Sequence, residues 1–281
     1  MIAPARTLVV PAPAKVNLFL HVTGRRPDGY HLLESLFALV DLADTVTLAL
    51  RDDAQVVRPR EVDGVPQDED LAVRAARALQ QATGTRRGVT LDLAKRIPMG
   101  AGLGGGSSDA ASVLVALNRL WQLGLSRTEL AHIGLTLGAD VPFFVHGEHA
   151  IVRGIGEAVN PVSLPPQWLA LAMPPVHVPT RAVFADPELT RSTPSAKMDV
   201  FSEGYGRNDL QAVVTRGHPP VAQAVRALEA VARGARMTGS GACAIAWCDS
   251  EEQARDAVAA LPAGIGGRVV RTLSRHPLAR W

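Results

Sequence analysis

Five glycines fall within seven residues of this chain, at positions 100, 102, 104, 105 and 106, and Ser107 and Ser108 follow at once. Behind them Val113, Leu114, Leu117, Leu120 and Trp121 recur at three- and four-residue steps, which predicts a helix with one apolar face. A loop without Cβ atoms lets its N–H groups approach an oxyanion, and the start of the helix adds partial positive charge. The stretch therefore reads as a phosphate cradle. Ser107 or Ser108 is placed to cap the helix, with Asp109 in its first turn. A plain connecting turn does not require five glycines, each with a backbone-entropy cost. Gly100, Gly102 and Gly105 match G-x-G-x-x-G, but Pro98 interrupts the preceding strand and no acidic residue ends a second strand about 20 residues on. The loop G-x-x-x-x-G-K-[ST] fails too, because Gly106 stands where its lysine belongs. If a nucleoside triphosphate binds here, the catalytic cation and base come from elsewhere.

The rest of the chain limits what that partner site serves. At 281 residues, 47% hydrophobic and 20% charged, the chain has the composition of a globular protein with one large or two ordinary domains. A net charge of +2 without a dense basic cluster gives no case for nucleic acid. No apolar run reaches the ~20 residues of a membrane span, and the N-terminal Leu-Val-Val is too short for a signal-peptide core. Cys243 and Cys248 suit neither a metal knuckle nor a disulfide framework. The expectation is a soluble protein of the reducing cytoplasm. Only three of the 29 basic residues are lysines, Lys15, Lys95 and Lys197, so a lysine at a motif position argues weakly for a compact ammonium there.

From Val16 the chain alternates as a strand. Val16, Leu18, Leu20 and Val22 form a core face, and Lys15, Asn17, Phe19 and His21 an opposite face that is either solvated or functional. Pro27, Asp28 and Gly29 make a turn that presents Tyr30 and His31, as packing or as a ligand platform. A strand over 44–50, a helix over 69–83, a strand over 89–94 and a helix over 127–137 capped by Ser126 surround the glycine stretch. Asp140 follows, with Pro142 disfavouring a helical Val141, so its carboxylate closes a turn, caps the next segment or does chemistry. The proline-rich stretch 159–167 reads as a domain junction. Beyond it come strands over 168–173, 242–247 and 268–273, helices over 209–216, 221–231 and 251–260, a helical turn carrying Phe184, and a second glycine loop, Met237 to Cys243. That order predicts an antiparallel sheet covered by helices.

Taken together, P-A-K-V-N-L-F-L-H-V, G-R-R-P-D-G-Y-H, P-M-G-A-G-L-G-G-G-S-S-D-A-A, G-A-D-V-P-F-F, P-T-R-A-V-F-A-D-P and T-G-S-G-A-C resemble the motifs of the GHMP kinase superfamily, from residue 13 to about residue 248. The resemblance implies an α+β fold of two domains. Residues 1–160 would form a ribosomal protein S5 domain 2-like N-terminal domain that binds ATP, and 161–281 a ferredoxin-like split βαβ C-terminal domain. It implies ATP and Mg²⁺ as cofactors, with ATP on Pro98, Met99, Gly100, Ala101, Gly102, Leu103, Gly104, Gly105, Gly106, Ser107 and Ser108. Asp140 would be the base and Lys15 its paired cation; Asp109 or a loop serine would help hold the metal. The turn and Phe184 segments are similar to the branch that phosphorylates a cytidine-diphospho-methylerythritol, a small-molecule substrate contacted by Asn17, Tyr30, His31, Thr180 and Phe184. The resemblance further implies a monomer or weak homodimer with no nucleic-acid or membrane partner.

Overall fold

The computed structural model describes residues 6–196 and 205–281; Lys197 lies outside them. Its first sheet is built on two long antiparallel strands, β1 (Thr7–Arg25) and β2 (His31–Arg51), in register from Thr7 opposite Ala49 to Arg25 opposite His31. The sequence predicts a strand over 44–50 alone. The preceding apolar residues continue it, so β2 is one element of 21 residues. Pro11 and Pro13 lie inside β1, at its free edge, where no ladder donor is required. Their carbonyls are instead reached by serine hydroxyls at 112 and 108. Strand β3 (Val56–Val57), helix α1 (Leu71–Thr83) and strand β4 (Gly88–Ala94) follow, with Asp70 capping α1 and Gly84 ending it in the left-handed region.

The glycine stretch leads into helix α2 (Gly105–Leu120), which starts earlier than the serines suggest. Its N-cap is Gly104, with φ of 71°, and no side chain caps it. Ser108 donates instead to Pro13 O, and Asp109 is turned inward to Lys95, so neither serves the helix end as expected. Helix α3 (Arg127–Leu135) opens on a capping box between Ser126 and Glu129. In α4 (Val141–His146) Pro142 occupies the second position, where a missing N–H costs nothing; Val141 is helical, not extended as expected. Strands β5 (Ala150–Gly154) and β6 (Ala158–Pro161) complete the first sheet.

Beyond residue 161 the chain forms β7 (Trp168–Met173), α5 (Thr180–Ala185), α6 (Gln211–Gly217), α7 (Pro219–Glu229), β8 (Arg233–Met237), β9 (Ala244–Cys248), α8 (Glu251–Ala259) and β10 (Gly266–Arg271). The sequence reading passed over β8, whose two arginines and two small residues hide the apolar alternation of a strand. The four strands pair antiparallel in the order β10-β7-β9-β8, the ferredoxin-like arrangement.

The layers follow from side-chain alternation. On β2, Leu36, Ala38 and Val40 face the second sheet, where Leu169, Leu171, Ile245 and Trp247 meet them. Phe37 and Leu39 face the other way, into a core shared with α1, α2 and α4. Ala170, Ala172, Ala244 and Ala246 of the second sheet pack under α7 and α8. The result is four layers, helix, sheet, sheet, helix, and β1 lies in an inner layer with both faces covered. Lys15, Asn17 and His21 are therefore buried, not solvated.

Candidate active site

One cavity of about 550 Å³ collects most of the chemistry that the sequence suggests. Lys15, Asn17, Pro98 to Ser107, Asp140, Thr180 and Phe184 all line it. Lys15 is 4% exposed, yet its ammonium is supplied with partners. Nζ donates to Asn17 Oδ1 at 2.6 Å, stands over the Phe37 ring at 4.4 Å from its centroid, and lies 3.7 Å from Asp140 Oδ2. Burial draws the Lys15 pKa below its ordinary value, and the Asp140 carboxylate opposes that shift. Asp140 sits at the start of α4 without capping it, and its side chain is 31% exposed on the cavity side of the pair. Its carboxylate is thus paired and reachable, not consumed by the helix end.

Asn17 is locked in turn. Its Nδ2 donates to Ser35 Oγ at 2.7 Å, and its backbone N donates to Thr238 Oγ1 of the second glycine loop at 2.7 Å. The two glycine loops meet backbone to backbone. Gly102 has φ of 76°, and a Cβ on it would stand 2.6 Å from Thr238 O. A Cβ on Gly104 would meet the Phe144 ring at 2.9 Å and the Lys15 stem at 3.2 Å. These glycines let the loop, the base segment and the Lys15 strand close on one space.

A second charged cluster lies behind the loop and escaped the sequence reading. Lys95 Nζ donates to Asp44 Oδ2 and Asp109 Oδ2, both at 2.5 Å, while Asp44 Oδ1 accepts from Ile97 N at 2.8 Å. Burial alone would depress the Lys95 pKa, but the two carboxylates outweigh it and hold it above the ordinary value. Burial pushes Asp109 up to about 7, with Lys95 only partly offsetting it and Asp44 adding to the rise. Asp109 Oδ1 has no hydrogen-bond partner. The sequence singles out Lys95 by the scarcity of lysine and Asp109 by its place in the motif, but not Asp44 or the way the three meet.

The remaining expected contacts are placed less evenly. Phe184 lines the cavity and stacks on His31, with ring centroids 5.1 Å apart and planes inclined by 30°. Thr180 Oγ1 lies 2.7 Å from Ser240 Oγ of the second glycine loop. Tyr30 stands outside the cavity wall at 62% exposure, and Ser108 is buried against β1. Cys243 and Cys248 are free and buried. Among the described residues no helix is long and apolar enough to cross a membrane.

A glycine loop facing an ammonium–carboxylate pair across one cavity suits group transfer, and the comparisons with known proteins assign the chain a family. Residues 70–148 match the model for the GHMP kinases N terminal domain, and residues 192–265 match that for the GHMP kinases C terminal domain. The chain belongs to the GHMP kinase family and is a kinase. Within that family it is 54% identical to the 4-diphosphocytidyl-2-C-methyl-D-erythritol kinase of Thiobacillus denitrificans, over 95% of this chain and 96% of that one. The kinase of the same name from Ralstonia pickettii is 52% identical over 99% and 98% of the two chains. A crystal structure of 4-(cytidine 5'-diphospho)-2C-methyl-D-erythritol kinase superposes with a TM-score of 0.82 at 37% identity, covering 94% of this chain and 99% of that one. Homoserine kinase from Cytophaga hutchinsonii, at 18% identity, a TM-score of 0.66 and coverage of 98% and 97%, shares the fold alone.

Proposed function

We propose that this chain transfers the γ-phosphoryl group of ATP to the 2-hydroxyl of 4-diphosphocytidyl-2-C-methyl-D-erythritol, a step of the non-mevalonate (MEP) route to isoprenoid precursors. The observation that carries the chemistry is the Lys15–Asp140 pair, facing the glycine loop across one cavity. An alcohol is a poor nucleophile, and Asp140 accepts its proton as the oxygen attacks the γ-phosphorus. The oxygen–phosphorus bond forms, the bond to the β-phosphate oxygen breaks, and ADP leaves. Lys15 orients the hydroxyl and offsets charge on the transferred group. Asn17 Oδ1 accepts from Lys15 Nζ and holds the ammonium beside Asp140. Backbone N–H groups of residues 99–107, leading into α2, cradle the phosphates. His31, Phe184 and Thr180 receive the cytidine end; Tyr30, at the rim, closes over it.

Mg²⁺ in such a site takes most of its ligands from phosphate and water and one or two from the protein. Among the described residues no group of three acidic, histidine or cysteine side chains is arranged to hold a metal alone, which suits that mode. The unpartnered Asp109 Oδ1 and the Ser107 hydroxyl are the protein donors that would serve. When bound, the ion neutralises charge on the transferring phosphates.

We infer a division into 1–160 and 161–281, which the two sheets support to within a residue, since β6 ends at Pro161. The chain is read as a monomer or weak homodimer, and the free cysteines support work in the cytoplasm. The test is ADP release coupled to a reporter, with the cytidine-diphospho acceptor run beside homoserine and mevalonate. Release with the cytidine acceptor alone is the expected result; release with either of the others alone overturns the reading.

A further inference from the structure

Arg191, in the loop after α5, fastens that loop to the start of β2. Its Nε donates to His31 Nε2 at 3.0 Å. Its Nη2 donates to Phe184 O at 3.2 Å and to Asp186 O at 2.6 Å, and its Nη1 donates to Leu189 O at 3.0 Å. One planar guanidinium thus spans the first residue of β2 and the turn that ends α5. It joins the two rings that stack on each other. Further along, the same loop is held by Glu34, which accepts from Ser195 Oγ at 2.9 Å, and by Thr193 N, which donates to Val22 O at 3.0 Å. Arg191 is therefore the link between an anchored loop and the pair of rings.

The donor has a chemical consequence. Guanidinium has no acceptor, so a ring nitrogen that receives its N–H must carry a lone pair. His31 is then neutral with its proton on Nδ1, the less common tautomer of a free imidazole. We propose that Arg191 is a positioning residue of the pyrimidine subsite, which locks the His31–Phe184 stack and commits His31 to donate through Nδ1–H to an acceptor atom of the base. The proposal rests on the assignment of a cytidine-diphospho acceptor made above. The charged groups that face His31 are Arg191, from the loop, and Arg25, at the end of β1. Burial first, then both cations, keep the ring below its ordinary pKa, which favours the neutral form; the Arg191 N–H then selects the tautomer.

The test is nitrogen-15 NMR of the full chain with labelled histidine, the His31 signals being assigned by their loss in His31→Gln. In the unmodified protein, His31 is expected to show a protonated Nδ1 and an unprotonated Nε2. That measurement needs only the assignment variant to fold, not a change at Arg191. In Arg191→Ala the pattern is expected to revert towards Nε2–H. The KM for the cytidine acceptor is expected to rise about tenfold, with kcat and the KM for ATP within about twofold, as loss of ground-state binding requires. Arg191→Lys keeps the charge without the fork and is expected to fall with Arg191→Ala. A protonated Nε2 in the unmodified protein overturns the proposal, as does an unchanged KM in both variants. If the unmodified enzyme leaves the cytidine acceptor untouched, the functional assignment fails and this inference with it. If it phosphorylates that acceptor and the Arg191 variants match it, only the inference fails.

Discussion

Lys15 and Asp140 are 125 positions apart in the chain, and their pairing depends on how each is prevented from doing something else. A buried ammonium is costly unless hydrogen-bonded, and Asn17 Oδ1 and the Phe37 ring surround it beside Asp140, whose charge opposes the effect of burial. An aspartate at a helix start ordinarily turns its carboxylate to the backbone N–H groups; Asp140 does not, which leaves its oxygens to the cavity. Replacement of Asp140 by Asn keeps size and removes the proton acceptor. Turnover is expected to fall by roughly 10²–10⁴, the scale of a lost general base, with the KM for ATP little changed. Steady-state ADP release reads both quantities, and near-normal turnover would remove Asp140 from the mechanism. The lone residues were the hardest part to read from sequence. Alternation put Lys15 and Asn17 on one face of a strand, but the same pattern describes a solvated face and a cavity wall. What decides between them is the second sheet and helix α4, brought in from residues more than 100 positions away.

At the scale of elements, both glycine loops are visible in the sequence, but their meeting is not. The count of glycines identified a close backbone approach to something; the structure makes part of that something the second loop. Gly102 and Gly106 show the difference between the two uses. Gly102 has φ of 76°, and a side chain there would drive into Thr238 O. Gly106 lies within α2, where an added Cβ would meet only Leu71 Cδ1 at an ordinary 3.5 Å. Gly102→Ala is expected to destabilise the protein by about 1–3 kcal/mol, the range for a strained left-handed residue. Gly106→Ala is expected to be neutral or stabilising by up to about 1 kcal/mol, because alanine restricts the unfolded chain at a helical site. Urea unfolding of the two variants measures the contrast. Equal losses would mean that the loops do not constrain each other as their contact implies. Element boundaries were also misread where a local rule was overruled. The serines at 107 and 108 are good caps in isolation, but Ser108 donates to the carbonyl of Pro13 in β1, and the helix begins at Gly105.

The whole molecule is tied together by its last residues, which leave the second sheet and return to the helices of the first. His276 N donates to Gly147 O at 2.7 Å, Arg127 donates to Val145 O at 2.6 Å and to Leu278 O, and Arg119 stacks on the Trp281 ring at 4.6 Å. No motif marked this segment, because its role is to cover α3 and α4 rather than to bind a ligand. His276 is the acid-sensitive part of the seam. It is 3% exposed, its Nδ1 accepts from Leu278 N at 3.0 Å, and its Nε2 has no partner. Burial, with the positive charge of Arg127 second, pushes its pKa down to about 4 from 6.5. The folded-state pKa is the lower one, so the neutral ring's contribution is complete above pH 6.5 and is lost as pH falls through 4. The full shift corresponds to about 3 kcal/mol, of which about 2 kcal/mol falls between pH 7 and pH 5. Asp109 runs the other way. Its raised pKa of about 7 makes its contribution largest below pH 3.8 and removes it as pH rises towards 7, so the total slope mixes both signs. A substitution isolates the histidine. His276→Asn keeps an acceptor for Leu278 N without a group that titrates in this range. Its unfolding free energy is expected to drop by about 2 kcal/mol less than that of the unmodified protein between pH 7 and pH 5. Urea midpoints at the two pH values give the comparison, and parallel slopes would show that the acid sensitivity resides elsewhere.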